Sequence, residues 1–120
     1  MVEDEEDVRA MVTRILGTFG DVTAAKNGDD AMKLLLASAA PDVIVTDLMM
    51  PHMDGLSLTR ELKKHPQLAR VPVVILTAKS RPGDMIEGIN AGARSYVTKP
   101  FKPDELIAKV QKALGMGAKK

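Results

Sequence analysis

The stretch DVIVTDLMMP, residues 42–51, decides the fold. Val43, Ile44 and Val45 form an unbroken β-branched apolar run, the pattern of a strand buried on both faces. Asp47 stands where that strand surfaces, and Pro51 punctuates the turn beyond it. A strand covered on both faces needs helices above and below it, so the rest of the chain should alternate helix with strand.

The flanking sequence has that alternation. Val8, Met11, Val12, Ile15, Leu16 and Phe19 recur at helical spacing and Gly20 follows as a stop. DVTAA, residues 21–25, is expected to be a short strand, and Asn27-Gly28 a turn. Ala31, Leu34 and Leu35 share one face of a second helix, which Pro41 ends. Leu58 and Leu62 mark a third helix after Gly55. VPVVIL, residues 71–76, is a second doubly buried strand. Met85, Ile86 and Ile89 give a fourth helix ending near Gly92, and RSYVT, residues 94–98, another strand. Pro103 opens a last helix, with Asp104 and Glu105 in its favourable first turn. Leu106, Ile107, Val110 and Leu114 give that helix its apolar face. The spacing predicts an α/β protein with a parallel sheet covered on both faces.

The 120 residues suffice for one domain with a core. Apolar residues make up 45% and charged residues 28%, an ordinary soluble balance. A net charge of +1 offers no overall field for nucleic acid or an anionic membrane. Cysteine is absent, which excludes disulfides and thiolate metal sites. No apolar run would span a bilayer, and no signal peptide is recognisable, so the chain reads as cytoplasmic. One tyrosine and two phenylalanines are too few for a base-stacking surface. His52 and His65 are too isolated to suggest a metal site. GMGAKK, residues 115–120, is polar; its two lysines do not make a DNA-binding element.

In such folds ligands gather beyond the carboxyl ends of the strands. Asp47, Thr77 and Lys99 each fall at such an end, and Glu3 and Asp4 lie just before the first helix. Taken singly, each has an ordinary explanation. A strand-end Asp caps a turn, an acidic run stabilises a helix N-terminus, and a lone Lys or Thr is surface. Together they put three carboxylates, a hydroxyl and an ammonium on one sheet edge. Carboxylates that close need a compensating cation. Hard oxygen donors without His or Cys suggest Mg²⁺, whose remaining partners are commonly waters and phosphate. A carboxylate so placed can act as a nucleophile and form an aspartyl phosphate.

These residues resemble the receiver domain of two-component response regulators. The likeness rests on Glu3-Asp4, on VIVTDLMMPHMDG (residues 43–55), on the threonine of VVILTA (73–78) and on YVTKPF (96–101), and it spans essentially the whole chain. It implies a flavodoxin-like doubly wound sheet of five parallel strands in the order 2-1-3-4-5. It further implies that Asp47 accepts a phosphoryl group from a histidine kinase or phosphotransfer protein. Glu3, Asp4, Asp47 and the Met49 carbonyl would hold Mg²⁺. Lys99, Thr77 and Ala78 would surround the phosphate, and Thr77 and Tyr96 would act as the switch. The Lys99-Pro100 bond is similar to the family's cis peptide. Met49 and Lys79 would tune hydrolysis. The readout face would be the fourth helix, the RSYVT strand and the last helix. Residues 1–115 would be the receiver and 116–120 a tail. The chain would catalyse only its own phosphorylation and dephosphorylation, without conventional turnover. Its output would be a downstream protein target or an output domain not in the sequence, with no direct nucleic-acid or membrane contact.

One feature departs from the pattern. Only Met1 and Val2 precede Glu3, whereas strands usually run about five residues. The first strand is therefore expected to be largely truncated, leaving its neighbours' backbone groups to be satisfied otherwise. A misplaced start, a distorted variant or a strand lent by a second chain in a homodimer would each account for it. The competing functional class is a pseudo-receiver, a constitutive binding module without phosphorylation. A flavodoxin-type FMN protein would need a phosphate-cradling loop where VEDEEDV (residues 2–8) stands. A haloacid-dehalogenase-like phosphatase would need an acid where Met49 stands.

Overall fold

The computed structural model describes residues 1–3, 5–18, 20–37, 41–47, 55–78, 95–99 and 101–113, with backbone alone at 55, 56, 77, 78 and 99. The order is α1 (Glu6–Leu16), α2 (Gly28–Ala37), β1 (Ile44–Asp47), α3 (Gly55–Lys63), β2 (Val73–Ala78), β3 (Ser95–Lys99) and α4 (Pro103–Ala113). Asp4, Phe19, Met49, His52, Lys79, Pro100, Leu114, the expected helix around Met85 and the tail lie outside the described residues.

The strands pair in parallel in the order β1-β2-β3. Ile44 lies opposite Val73 and Asp47 opposite Leu76, while Val74 lies opposite Ser95 and Ala78 opposite Lys99. Alternation splits the apolar side chains between two layers. Ile44, Val73 and Ile75 face Ala31 and Met32 of α2 and Leu58 and Leu62 of α3. Val45, Val74, Leu76 and Val97 face Val12 and Leu16 of α1 and Leu106 and Val110 of α4. Helices thus cover both sides of the sheet, the doubly wound arrangement that the strand sequences demand.

Local chemistry sets the helix ends. Glu6 and Asp7 occupy the positive end of α1, and Gly17 closes it, its N–H donating to the Thr13 carbonyl at 2.9 Å. The helix therefore stops before the expected Gly20, and Met11 turns outward, 43% exposed. Asn27 Oδ1 accepts the Asp30 N–H at 2.7 Å, so Asn27-Gly28 starts α2 rather than making a free turn. Leu34 of α2 is exposed, while Ala31 and Met32 carry the buried face. Pro103 begins α4, and the Lys102 N–H donates to Glu105 Oε1 at 2.9 Å, half of a capping box.

The first strand survives as three residues. Val2 N–H donates to the Val45 carbonyl at 2.7 Å and Asp47 N–H to the Val2 carbonyl at 2.9 Å. On its other side, Glu3 N–H donates to Ala25 at 3.0 Å and Ala25 N–H to Met1 at 2.8 Å. Val2 therefore bridges Ala25 and Thr46, both in parallel. The spatial order 2-1-3 is kept, but residues 21–25 form a bridge at Ala25 instead of the expected strand. Three residues cannot supply a longer ladder. At the level of Val2 both neighbours are paired with the stub rather than left without a partner strand.

Candidate functional site

The stub and β1 together build the candidate site. Because Val2 bridges Thr46, Glu3 comes opposite Asp47. Partners across a ladder share a face, and adjacent strands lie about 4.8 Å apart. Both carboxylates are therefore neighbours on the α1 side of the carboxyl edge. Glu3 is 1% exposed and Asp47 7%. Asp47 is fixed at its N–H by Val2, and Thr46 Oγ1 donates to the Asp47 carbonyl at 3.1 Å. Glu3 Oε2 accepts the Glu5 N–H at 3.1 Å, which also serves the open start of α1.

Arg9 is a residue that sequence reasoning missed. Its Nη1 donates to the Glu3 carbonyl at 2.9 Å, bringing a guanidinium against the acidic turn. Its only sequence signal is its place in the first turns of α1, two residues after Asp7.

Strands β2 and β3 bring the remaining backbone positions to the same edge. Thr77 lies opposite Thr98 and Ala78 opposite Lys99, one and two residues beyond the level of Asp47. Two residues of strand are roughly 7 Å. Tyr96 is half-buried opposite Ile75 and packs on the α2–α3 layer, across the sheet from Asp47. The edge thus gathers Glu3 and Asp47 as neighbours and the backbones of Thr77, Ala78 and Lys99 beside them, while Tyr96 belongs to the opposite layer.

The donor chemistry fits Mg²⁺. Two buried carboxylates side by side supply hard oxygen, and Mg²⁺ characteristically takes one or two carboxylates plus waters. Among the described residues no group of three or more His, Cys, Asp or Glu comes together. No described helix is long and apolar enough to cross a membrane.

A parallel sheet wrapped on both sides, with buried carboxylates at its carboxyl edge, defines a flavodoxin-like domain. The chain belongs to the response regulator receiver domain family, whose profile matches residues 1–111. It is 35% identical over 115 residues to the phosphate regulon transcriptional regulatory protein PhoB of Rhizobium meliloti, covering 95% of this chain and 50% of that protein. It is 37% identical over 112 residues to the response regulator PleD of Caulobacter vibrioides, covering 92% of this chain and 24% of that protein. The chain thus spans half or less of these relatives. Among solved structures, it resembles the receiver domain of a signal transduction histidine kinase from Syntrophus aciditrophicus. That match has a TM-score of 0.86 at 36% identity, covering 99% and 89% of the two chains. The chemotaxis protein CheY4 of Vibrio cholerae matches with a TM-score of 0.86 at 30% identity, covering 93% of each chain.

Proposed function

We propose that the chain is a phosphoacceptor switch in which an Asp47 carboxylate oxygen attacks the phosphorus of a phosphohistidine. The N–P bond of the donor breaks, an O–P bond to Asp47 forms, and the imidazole leaves. The donor is a histidine kinase or a phosphotransfer protein. The observation that supports this most is the burial of Asp47 beside Glu3 at the carboxyl edge. Glu3, Asp4, Asp47 and the Met49 carbonyl would hold Mg²⁺, which supplies charge neutralisation for the incoming phosphoryl oxygens. Lys99 adds a second positive charge, and Thr77 and Ala78 line the phosphate. The adduct brings roughly −1.5 to −2 charges and strong acceptor oxygens. Thr77 is drawn to it and Tyr96, one strand over, reports the shift on the other layer. The biased surface is the last helix, β3 and the helix expected around Met85, and the output is a changed affinity for a protein target or an attached output domain.

The test is intact mass after incubation with acetyl phosphate and Mg²⁺. One phosphoryl adduct is expected on the wild type and none on Asp47→Asn or without metal. A folded protein that takes no adduct is a pseudo-receiver, and the proposal fails.

A further inference from the structure

Arg9 lies near the positive end of α1, where an acid is favoured and a cation is not. Two carboxylates stand within its helical reach, Glu5 at i−4 and Glu6 at i−3. It pairs with neither. Among the described residues the contacts of ion-pair length join Glu61 to Lys64 and His65, and none involves Arg9. Its Nη1 instead reaches back past the start of the helix and donates to the Glu3 carbonyl at 2.9 Å. A guanidinium that passes over two acids for a neutral main-chain oxygen is held there by geometry rather than by charge.

The bond completes a ladder. In a parallel ladder a residue's N–H and carbonyl turn to the same neighbour. Glu3 N–H donates to the Ala25 carbonyl at 3.0 Å, so the Glu3 carbonyl points toward the chain that follows Ala25. A ladder that ran on would meet it with the N–H of Asn27. The chain turns instead into α2, the Asn27 side chain accepting the Asp30 N–H at 2.7 Å and its carbonyl the Ala31 N–H at 3.0 Å. Arg9 takes the rung. The carbonyl it holds belongs to the peptide unit that joins Glu3 to Asp4, and that unit is planar. Fixing the carbonyl therefore fixes the direction in which the chain leaves Glu3. Glu3 is held through its N–H by Ala25, through its carbonyl by Arg9 and through Oε2 by the Glu5 N–H. Groups behind a metal ligand orient it, and their loss weakens the hold on the metal.

We propose that Arg9 is the positioning residue of the acidic pair, its bond to the Glu3 carbonyl setting the Glu3–Asp4 peptide before Mg²⁺ binds. Mg²⁺ enters through the reading of Glu3 and Asp4 as its ligands, on which this role of Arg9 rests. Charge and position predict opposite signs. A guanidinium repels a cation held by the same turn, so charge alone would make Arg9→Met bind Mg²⁺ more tightly. Loss of the positioning bond makes it bind more weakly.

The probe is Mg²⁺ alone, titrated calorimetrically into the whole chain. Arg9→Met is expected to bind it about ten-fold less tightly, the lower end for a group behind a ligand. Arg9→Lys, which keeps an N–H donor, should recover most of the loss. Equal or tighter binding by Arg9→Met would overturn the proposal, as would a wild type that does not bind. Amide exchange without metal gives a second readout. It should quicken at Glu3 and Glu5 in Arg9→Met and stay unchanged at Val74, fully buried in the sheet. Quickening at all three would make Arg9 a general stabiliser and overturn its positioning role. Adduct formation from acetyl phosphate separates this role from the phosphoacceptor reading. In Arg9→Met the Mg²⁺ needed for half the maximal rate should rise more than that rate falls. A lower maximal rate at unchanged Mg²⁺ dependence would overturn the proposal. A wild type that binds Mg²⁺ with Arg9 in the expected role, yet takes no adduct, would end the phosphoacceptor reading alone.

Discussion

Glu3 does two jobs with one carboxylate: Oε2 receives the Glu5 N–H at the start of α1, and the group lies beside Asp47. Glu3→Gln separates them. The amide oxygen still accepts the N–H, while one of two neighbouring negative charges is lost. Mg²⁺ affinity, measured by titration calorimetry, should fall by at least the ~10- to 100-fold known for outer-shell partners. The metal-free protein should be as stable as the wild type or slightly more so, because like charges no longer face each other. Unchanged affinity would remove Glu3 from the proposed ligand set. That Asp47 and Glu3 come together at the carboxyl edge was legible because each sits where apolar residues give way to a carboxylate. Arg9 was not, because its role is a bond to a main-chain carbonyl that only folding brings near.

At the scale of elements, α4 lies on β2 and β3 through Leu106 and Val110, both fully buried. Leu106→Ala removes a branched side chain from a packed layer and should cost about 2–5 kcal/mol, read as a lower urea midpoint with an unchanged slope. The strands were found from their apolar runs, but their ends moved. VPVVIL begins pairing only at Val73, since Pro72 has no N–H to give and serves instead through its carbonyl, which accepts from Ile44 at 2.9 Å. The strand then runs on through Thr77 to Ala78, past the last strongly apolar residue. Residues 21–25 read as a strand by composition. A strand, however, exists only to the extent that a neighbour pairs with it, and the neighbour here is three residues long.

At the scale of the whole molecule, the Met1 amine ties chain entry to stability. Burial lowers it from 8.0 to about 6 in the folded chain. Between those values the unfolded chain holds the proton and the folded chain does not. Stability therefore rises with pH across this window, is complete above about 8, and is lost as pH falls through about 6. Two pKa units set a ceiling of about 2.7 kcal/mol, and partial solvation of the amine brings the effect below it. Urea midpoints at pH 6 and pH 8 should differ for the free amine and lose that difference after N-terminal acetylation. An equal slope in both forms would trace the effect to other groups.

The stub of Met1, Val2 and Glu3 is shared property. Its carboxylate lies beside Asp47 at the carboxyl edge, its amine donates to the Thr23 carbonyl, and a single bridging residue lies between them. Any ordering of one end that reached the other would act in both directions by the same free energy. A cation that fixes Glu3 would steady its bond to Ala25 by the same factor by which that bond favours the cation. Three residues thus hold together two neighbours that would otherwise have no common partner.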